Sequence, residues 1–228
     1  MTSAQPIRAV IFDCDGVLVD SELLGNETLA QVLTEHGVPC TTQQSLRTFM
    51  GSSLGGIVEK ATAMAGRDMR DACERVFMGR LEVAFRERLK AVAGMAALVS
   101  SINAPKAVAS NSPTQRLELS LRTTGIWDSF AGHVYSRDLV PKGKPSPDLF
   151  LYAAQRLGID PGECLVIEDG ASGVKAAAAA GMRCLGFAGG GHCDAEHVEM
   201  LRGLGVEQVA MDANELERVL DGLIRRDY

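Results

Sequence analysis

No apolar run in this chain approaches the roughly 20 residues that a membrane-spanning helix needs, and the leader Met1–Pro6 has no apolar signal-peptide core. Both absences lead to the expectation of a soluble, cytoplasmic protein that does not enter a membrane. Paired cysteines are missing too. Cys14, Cys40, Cys73, Cys164, Cys184 and Cys193 are scattered, and none forms a CxxC pair. Without an export signal, reduced thiols fit this pattern better than a disulfide framework. An excess of positive charge is also absent, because the formal net charge is -6. That disfavours nucleic-acid partners, whose phosphate backbones reward dense Lys/Arg surfaces, but it still allows a small anionic ligand at a local positive site. No internal repeat is apparent.

What is present is an ordinary globular composition, 46% hydrophobic and 23% charged over 228 residues. Six short apolar runs read as buried strands: Ala9–Phe12, Ala107–Ala109, His133–Tyr135, Cys164–Ile167, Cys184–Phe187 and a weaker Gln208–Ala210. Helical patterns separate them, which argues for an α/β fold, a doubly wound parallel sheet with helices on both faces. Ser112-Pro113, Asp160-Pro161 and Ser146-Pro147 read as capped helix starts with proline at the first helical position. Gly181, after the run Ala176–Ala180, reads as a left-handed helix end. Residues 21–91 contain only amphipathic stretches, far more than one crossover helix requires. They are expected to form an inserted all-helical cap domain, with residues 1–20 and 92–228 as the catalytic core.

Polar residues gather at the ends of these strands. Asp13 and Asp15 follow the first strand, where open α/β sheets bind ligands. Alternation puts both carboxylates on one side with Cys14 turned away, and Gly16 lets the backbone depart tightly. Such crowding is costly unless a cation or a shared proton compensates. Glu168-Asp169 ends the fourth strand in the same way, and two converging acidic strand ends would make an oxygen cage suited to Mg²⁺. Ser110 ends the second strand, with Asn111 leading toward a helix whose N-terminal amides favour phosphate. Lys144, in the stiff Lys144-Pro145-Ser146-Pro147 turn, is preferred over Lys142 as the cation that stabilises phosphate charge.

These four segments, in this order, resemble the haloacid dehalogenase superfamily: Asp13-Cys14-Asp15-Gly16, then Ser110, then Lys144 to Asp148, then Glu168-Asp169. The helical insert resembles the cap of the subgroup that contains β-phosphoglucomutase and phosphogluconate phosphatase. The resemblance implies a Rossmann-like core, Mg²⁺ as cofactor and a small phosphorylated metabolite, a sugar phosphate or sugar-acid phosphate, as substrate. It implies Asp13 as nucleophile and Asp15 as acid and base. Asp13, Asp15 (through its backbone carbonyl) and Asp169 would hold the metal, and Glu168 would support it. Ser110, Asn111 and Lys144 would hold phosphoryl oxygens, and Gly51 and Ser52 would represent the cap loop at the substrate. An acid at position 15 favours phosphate esters over haloacids or phosphonates.

A phosphosugar mutase of the same family retains its intermediate with a histidine and basic cap residues. The apparent counterparts here are Gly25, Met50 and Leu54, with Arg47 the nearest cation, so hydrolysis is expected over transfer. The other alternative is a silent regulator that binds a phosphometabolite; the full set of chemical residues speaks against it. A monomer or weak homodimer is expected. Gly189 to Asp194 with His197 invites a transition-metal reading, yet a Gly-rich loop leading into a helix at Asp194 is preferred, with His192 able to touch substrate.

Overall fold

The computed structural model describes residues 6–224; Met1–Gln5 of the leader and the last four residues lie outside them. Its six strands are β1 (Ala9–Phe12), β2 (Lys106–Ser110), β3 (Val134–Ser136), β4 (Cys164–Glu168), β5 (Arg183–Phe187) and β6 (Val209–Ala210). All pair in parallel, in the order β3-β2-β1-β4-β5-β6, so the fold is the doubly wound α/β sheet expected. Among the described residues the ten α-helices are α1 (Ser21–Glu35), α2 (Thr42–Phe49), α3 (Leu54–Ala65), α4 (Met78–Arg88), α5 (Met95–Ser101), α6 (Thr114–Thr123), α7 (Asp148–Leu157), α8 (Ala171–Ala179), α9 (Ala195–Gly203) and α10 (Ala213–Leu223).

Both faces of the sheet are covered, which explains why its strands read as continuous apolar runs rather than alternating ones. Ala9, Ile11, Ala107, Ala109, Cys164 and Val166 pack with Phe150 and Ala153 of α7, Val174 and Ala177 of α8 and Leu201 of α9. The alternate residues Val10, Phe12, Val108, Leu165 and Ile167 are equally buried. Among them Phe12 meets Phe130 edge-on at 6.0 Å between ring centres.

The chain divides into two compact units, one made of Met1–Val19 and Ala91–Tyr228 and the other of Asp20–Lys90. The second is helical throughout: α1, α2 and α3, then a π-helical stretch Ala72–Phe77 that runs into α4. Thr41 and Gln44 close a reciprocal capping box on α2. Inside this unit Ser45 Oγ donates to Asn26 Oδ1 at 2.9 Å, and Asn26 Nδ2 donates to the Glu22 carbonyl at 2.8 Å.

Three expected caps are corrected. Helix α6 begins after Pro113, and its first N–H groups gain no partner from Ser112. Asp138 supplies one instead, accepting from the Thr114 N–H at 2.8 Å. Helix α7 likewise starts after Pro147 without a side-chain cap, and Ser146 Oγ donates to Asp148 Oδ1 at 2.6 Å. Asp160-Pro161 opens only a single 3₁₀ turn, Pro161–Glu163, that feeds β4. At the end of α8, Gly181 does adopt φ 71°, the left-handed conformation that glycine accepts without steric cost.

Candidate active site

The strand order reverses between β1 and β4, the place where doubly wound sheets open a crevice at their carboxyl ends. Asp13 leaves β1 at this point, its N–H donating to the Ile167 carbonyl at 3.0 Å. Glu168 is the last residue of β4 and Asp169 the next. Gly16 turns the chain with φ 81°, and a methyl group there would collide with the Asp169 carboxylate. A methyl group at Gly173, in the first turns of α8, would collide with the carboxylate of Glu168. Close approach of an acid therefore requires glycine at both positions, and at Gly16 the left-handed backbone requires it as well.

Lys144 enters from the loop before α7. Its Nζ donates to Asp13 Oδ1 at 2.6 Å and to Glu168 Oε1 at 2.5 Å, with the side chain only 3% exposed. Asn111 fixes that loop from both directions: its Oδ1 accepts from the Lys144 N–H at 2.9 Å, and its Nδ2 donates to the Lys144 carbonyl at 3.0 Å. Lys142 is exposed.

Asp15 is held differently. Its carboxylate accepts from Ser112 Oγ at 2.6 Å and from Arg116 Nη2 at 3.0 Å. Ser110 Oγ in turn accepts from the Ser112 N–H at 3.0 Å. Ser112, expected as a helix cap, thus grips the acid instead. Arg116 drew no attention in the sequence. Its one signal is its place in the first turn of the helix that follows Ser110.

The electrostatics match this crowding. Burial pushes the Asp13 carboxyl well above its ordinary value; Lys144 opposes the shift, and the charges of Glu168, Asp169 and Asp15 add to it. Glu168 is raised by burial and by Asp169, again against Lys144. Burial would lower the Lys144 ammonium, but Asp13 and Glu168 outweigh it and hold Lys144 above its usual range. Carboxylate oxygens of Asp13, Glu168 and Asp169 lie within 4.8 Å of one another. This donor set is all oxygen and carries surplus negative charge, so it fits a hard divalent cation such as Mg²⁺.

Two histidines also contact Asp169. His192 Nε2 lies 3.1 Å from Asp169 Oδ2, and His197 Nε2 lies 2.7 Å from the Asp169 carbonyl oxygen. Burial works against the His192 imidazolium, but hydrogen bonds to Asp169 and Cys193 prevail and raise it to about 10. As expected, Asp194 opens α9, its side chain accepting from the His197 N–H at 3.0 Å.

The structure therefore gathers Asp13, Asp15, Ser110, Asn111, Lys144, Glu168 and Asp169 in the sheet unit. Gly51, Ser52 and Arg47 belong to the helical unit. Gly51 turns the chain between α2 and α3 with φ 71°, Ser52 Oγ accepts from Lys60 Nζ at 2.9 Å, and Arg47 is exposed on α2.

A family model described as haloacid dehalogenase-like hydrolase matches residues 7–181. Among curated proteins, the chain is 28% identical to 6-phosphogluconate phosphatase of Escherichia coli (strain K12), over 82% of this chain and 85% of that one. It is 31% identical to hexitol phosphatase B of the same organism, over 81% and 85%. Among solved structures, a HAD family hydrolase from Deinococcus radiodurans with bound phosphate and sodium superposes with a TM-score of 0.84 at 33% identity, over 96% and 98% of the two chains.

Proposed function

The chain belongs to the haloacid dehalogenase-like hydrolases, and from that membership we propose a Mg²⁺-dependent phosphatase acting on a small phosphorylated metabolite, a sugar phosphate or sugar-acid phosphate. The observation that carries this reading is the seating of Asp13. It is a buried carboxylate at the sheet's switch point, contacted by Lys144 and crowded by Glu168 and Asp169. The named relatives, a 6-phosphogluconate phosphatase and a hexitol phosphatase, support the substrate class.

In this reading Asp13 attacks phosphorus, the ester P–O bond breaks and an aspartyl phosphate forms. Asp15, oriented by Ser112 and Arg116, gives its proton to the departing oxygen. It then takes one from the water that attacks phosphorus and frees Asp13. Lys144 stands beside Asp13 to balance negative charge on the transferring group. Ser110 Oγ already accepts from an amide, which leaves its hydroxyl proton for a phosphoryl oxygen. Asp13, Asp169 and the Asp15 carbonyl, supported by Glu168, are the residues that would hold Mg²⁺, which when bound neutralises phosphoryl charge. Substrate selection is assigned to the helical unit as a cap, with Gly51 and Ser52 as its contact residues.

The test is phosphate release from a panel of phosphorylated metabolites with and without Mg²⁺, using the wild type and Asp13→Asn. Mg²⁺-dependent release by the wild type alone is expected. A folded, Mg²⁺-loaded wild type that releases nothing would replace this reading with a ligand-binding regulator. An isomerised sugar phosphate without free phosphate would make it a mutase.

A further inference from the structure

The loop after β5 and the first turn of α9 bring two imidazoles and a thiol together, and none of the three takes part in the chemistry above. His192 and His197 are buried and Cys193 is half-buried. One ligand atom from each lies within 4.8 Å of the others, and the two rings stand perpendicular with centres 5.1 Å apart.

The atoms behind these rings set their tautomers. A carbonyl oxygen can only accept, so His197 Nε2, 2.7 Å from the Asp169 carbonyl, must carry the proton. The lone pair of the neutral ring then sits on Nδ1. Metal-binding histidines characteristically donate their other N–H to a carbonyl or carboxylate in this way, which fixes the ring and strengthens it as a ligand. His192 is anchored by the Asp169 carboxylate. Its ring also lies in a slot between Gly16 and Gly190, since a methyl group at either would come within 2.8 Å of a ring atom. Cys193 Sγ is 3.3 Å from His192 Nε2 and 3.9 Å from Nδ1. A sulfur and a nitrogen on one tetrahedral Zn²⁺, with bonds of about 2.3 and 2.0–2.1 Å, stand about 3.6 Å apart. With Nε2 donating to the Asp169 carboxylate, Nδ1, 3.9 Å from the sulfur, is the nitrogen that shares an ion with the thiolate.

We propose that His192, Cys193 and His197 form a second metal site, separate from the carboxylate cluster, that takes one Zn²⁺-class ion. One thiolate and two imidazoles are poor ligands for Mg²⁺, which prefers oxygen, and suit Zn²⁺ well. Three protein ligands leave a fourth position for water. The ion acts as a clasp that joins the loop after β5 to the start of α9. The site does not depend on the phosphatase reading.

The experiment uses the full chain, reduced and stripped of metal, with excess Mg²⁺ present to fill the carboxylate cluster, and Co²⁺ as the probe. The expected result is one equivalent of Co²⁺ bound, with a thiolate-to-cobalt charge-transfer band in the near ultraviolet that Zn²⁺ abolishes. Zn²⁺ should also raise the thermal midpoint of the wild type in a concentration-dependent manner. Cys193→Ser and Cys193→Ala should lose the band, and His197→Gln should bind at least about tenfold more weakly. No band in the folded wild type would overturn the proposal, whatever the variants do. A band that persists in Cys193→Ser would also overturn it by assigning the sulfur to one of the other five cysteines. So would undiminished binding in both His192→Gln and His197→Gln, which would reduce the site to a scavenging thiol.

Discussion

Replacing Lys144 by methionine keeps most of the apolar stem and removes only the ammonium. In the wild type that ammonium lies 2.6 Å from Asp13 and 2.5 Å from Glu168 in a setting where its side chain is 3% exposed. Removing one partner of a buried ion pair costs about 3–5 kcal/mol, because the other charge stays buried without compensation. Here two carboxylates are stranded, but each has an escape, since it can bind a proton. Both already sit above their ordinary values from burial, and Lys144 is what lowers them. Without it they rise further. An acid whose folded-state pKa exceeds its unfolded value binds its proton more tightly in the native state. Stability therefore falls as pH climbs from the unfolded value, about 4, through the folded one. The slope is at most about 1.4 kcal/mol per pH unit for each group. Lys144→Met is thus expected to lose about 3–5 kcal/mol near neutral pH and progressively less toward about pH 4–5. The assay is urea unfolding without divalent metal, followed by tryptophan fluorescence. The single tryptophan, Trp127, lies in the sheet unit with Arg122 4.5 Å over its ring, so it reports on that unit alone. A deficit equal at acid and neutral pH would mean that lost packing, and not stranded charge, sets the cost. A deficit below about 1 kcal/mol at neutral pH would refute the buried triad outright.

Gly173→Ala places a methyl group against the Glu168 carboxylate, so it should lower stability by about 1–3 kcal/mol and raise the Mg²⁺ concentration needed for half-maximal phosphate release. An unchanged metal titration would show that Glu168 is not part of the metal shell. Arg116→Gln and Ser112→Ala each remove one donor from Asp15. In each, kcat should fall about tenfold or more with a smaller change in KM, because misorienting an acid-base group acts on the chemical step. An equal loss in KM alone would make both residues substrate contacts instead. In Asp13→Asn, turnover should vanish while the thermal midpoint stays level or rises, because a raised, buried acid is replaced by a neutral amide. Measurable turnover would remove Asp13 as nucleophile.

The strands were legible because a sheet buried on both faces writes itself as short apolar, β-branched runs. Ala9–Phe12 and Cys164–Glu168 could be located within a residue for that reason. Strand ends then fixed where Asp13, Glu168 and Asp169 would meet, since a parallel sheet brings every carboxyl end to one edge. The helix starts were less legible, and the two failed serine caps share a cause. A serine before proline can cap the helix that follows, but its hydroxyl is equally available to any carboxylate brought near by the fold. At Ser112 that carboxylate is Asp15, 97 positions away, and Asp138 reaches back to serve the helix end instead. No local pattern records such an exchange.

The same reasoning explains why Arg116 was missed and why the segment with His192 and His197 read as a Gly-rich loop leading into a helix. Each acquires its part only from a partner distant in sequence: Asp15 for Arg116, and Asp169 for His192 and His197. Asp169 is the clearest case. Its side chain sits among the acids of the strand edge, while its carboxylate and carbonyl also steer the two imidazoles. A residue at a strand end has two sides, and the sequence motif describes only the one that faces the crevice. The other side explains Gly16, whose missing side chain leaves room for Asp169 and for the His192 ring at once. Gly16→Ala should therefore disturb both neighbours together, weakening Mg²⁺-dependent turnover and Co²⁺ binding at Cys193 in one variant. Loss of only one would show that Asp169 does not join the two sites.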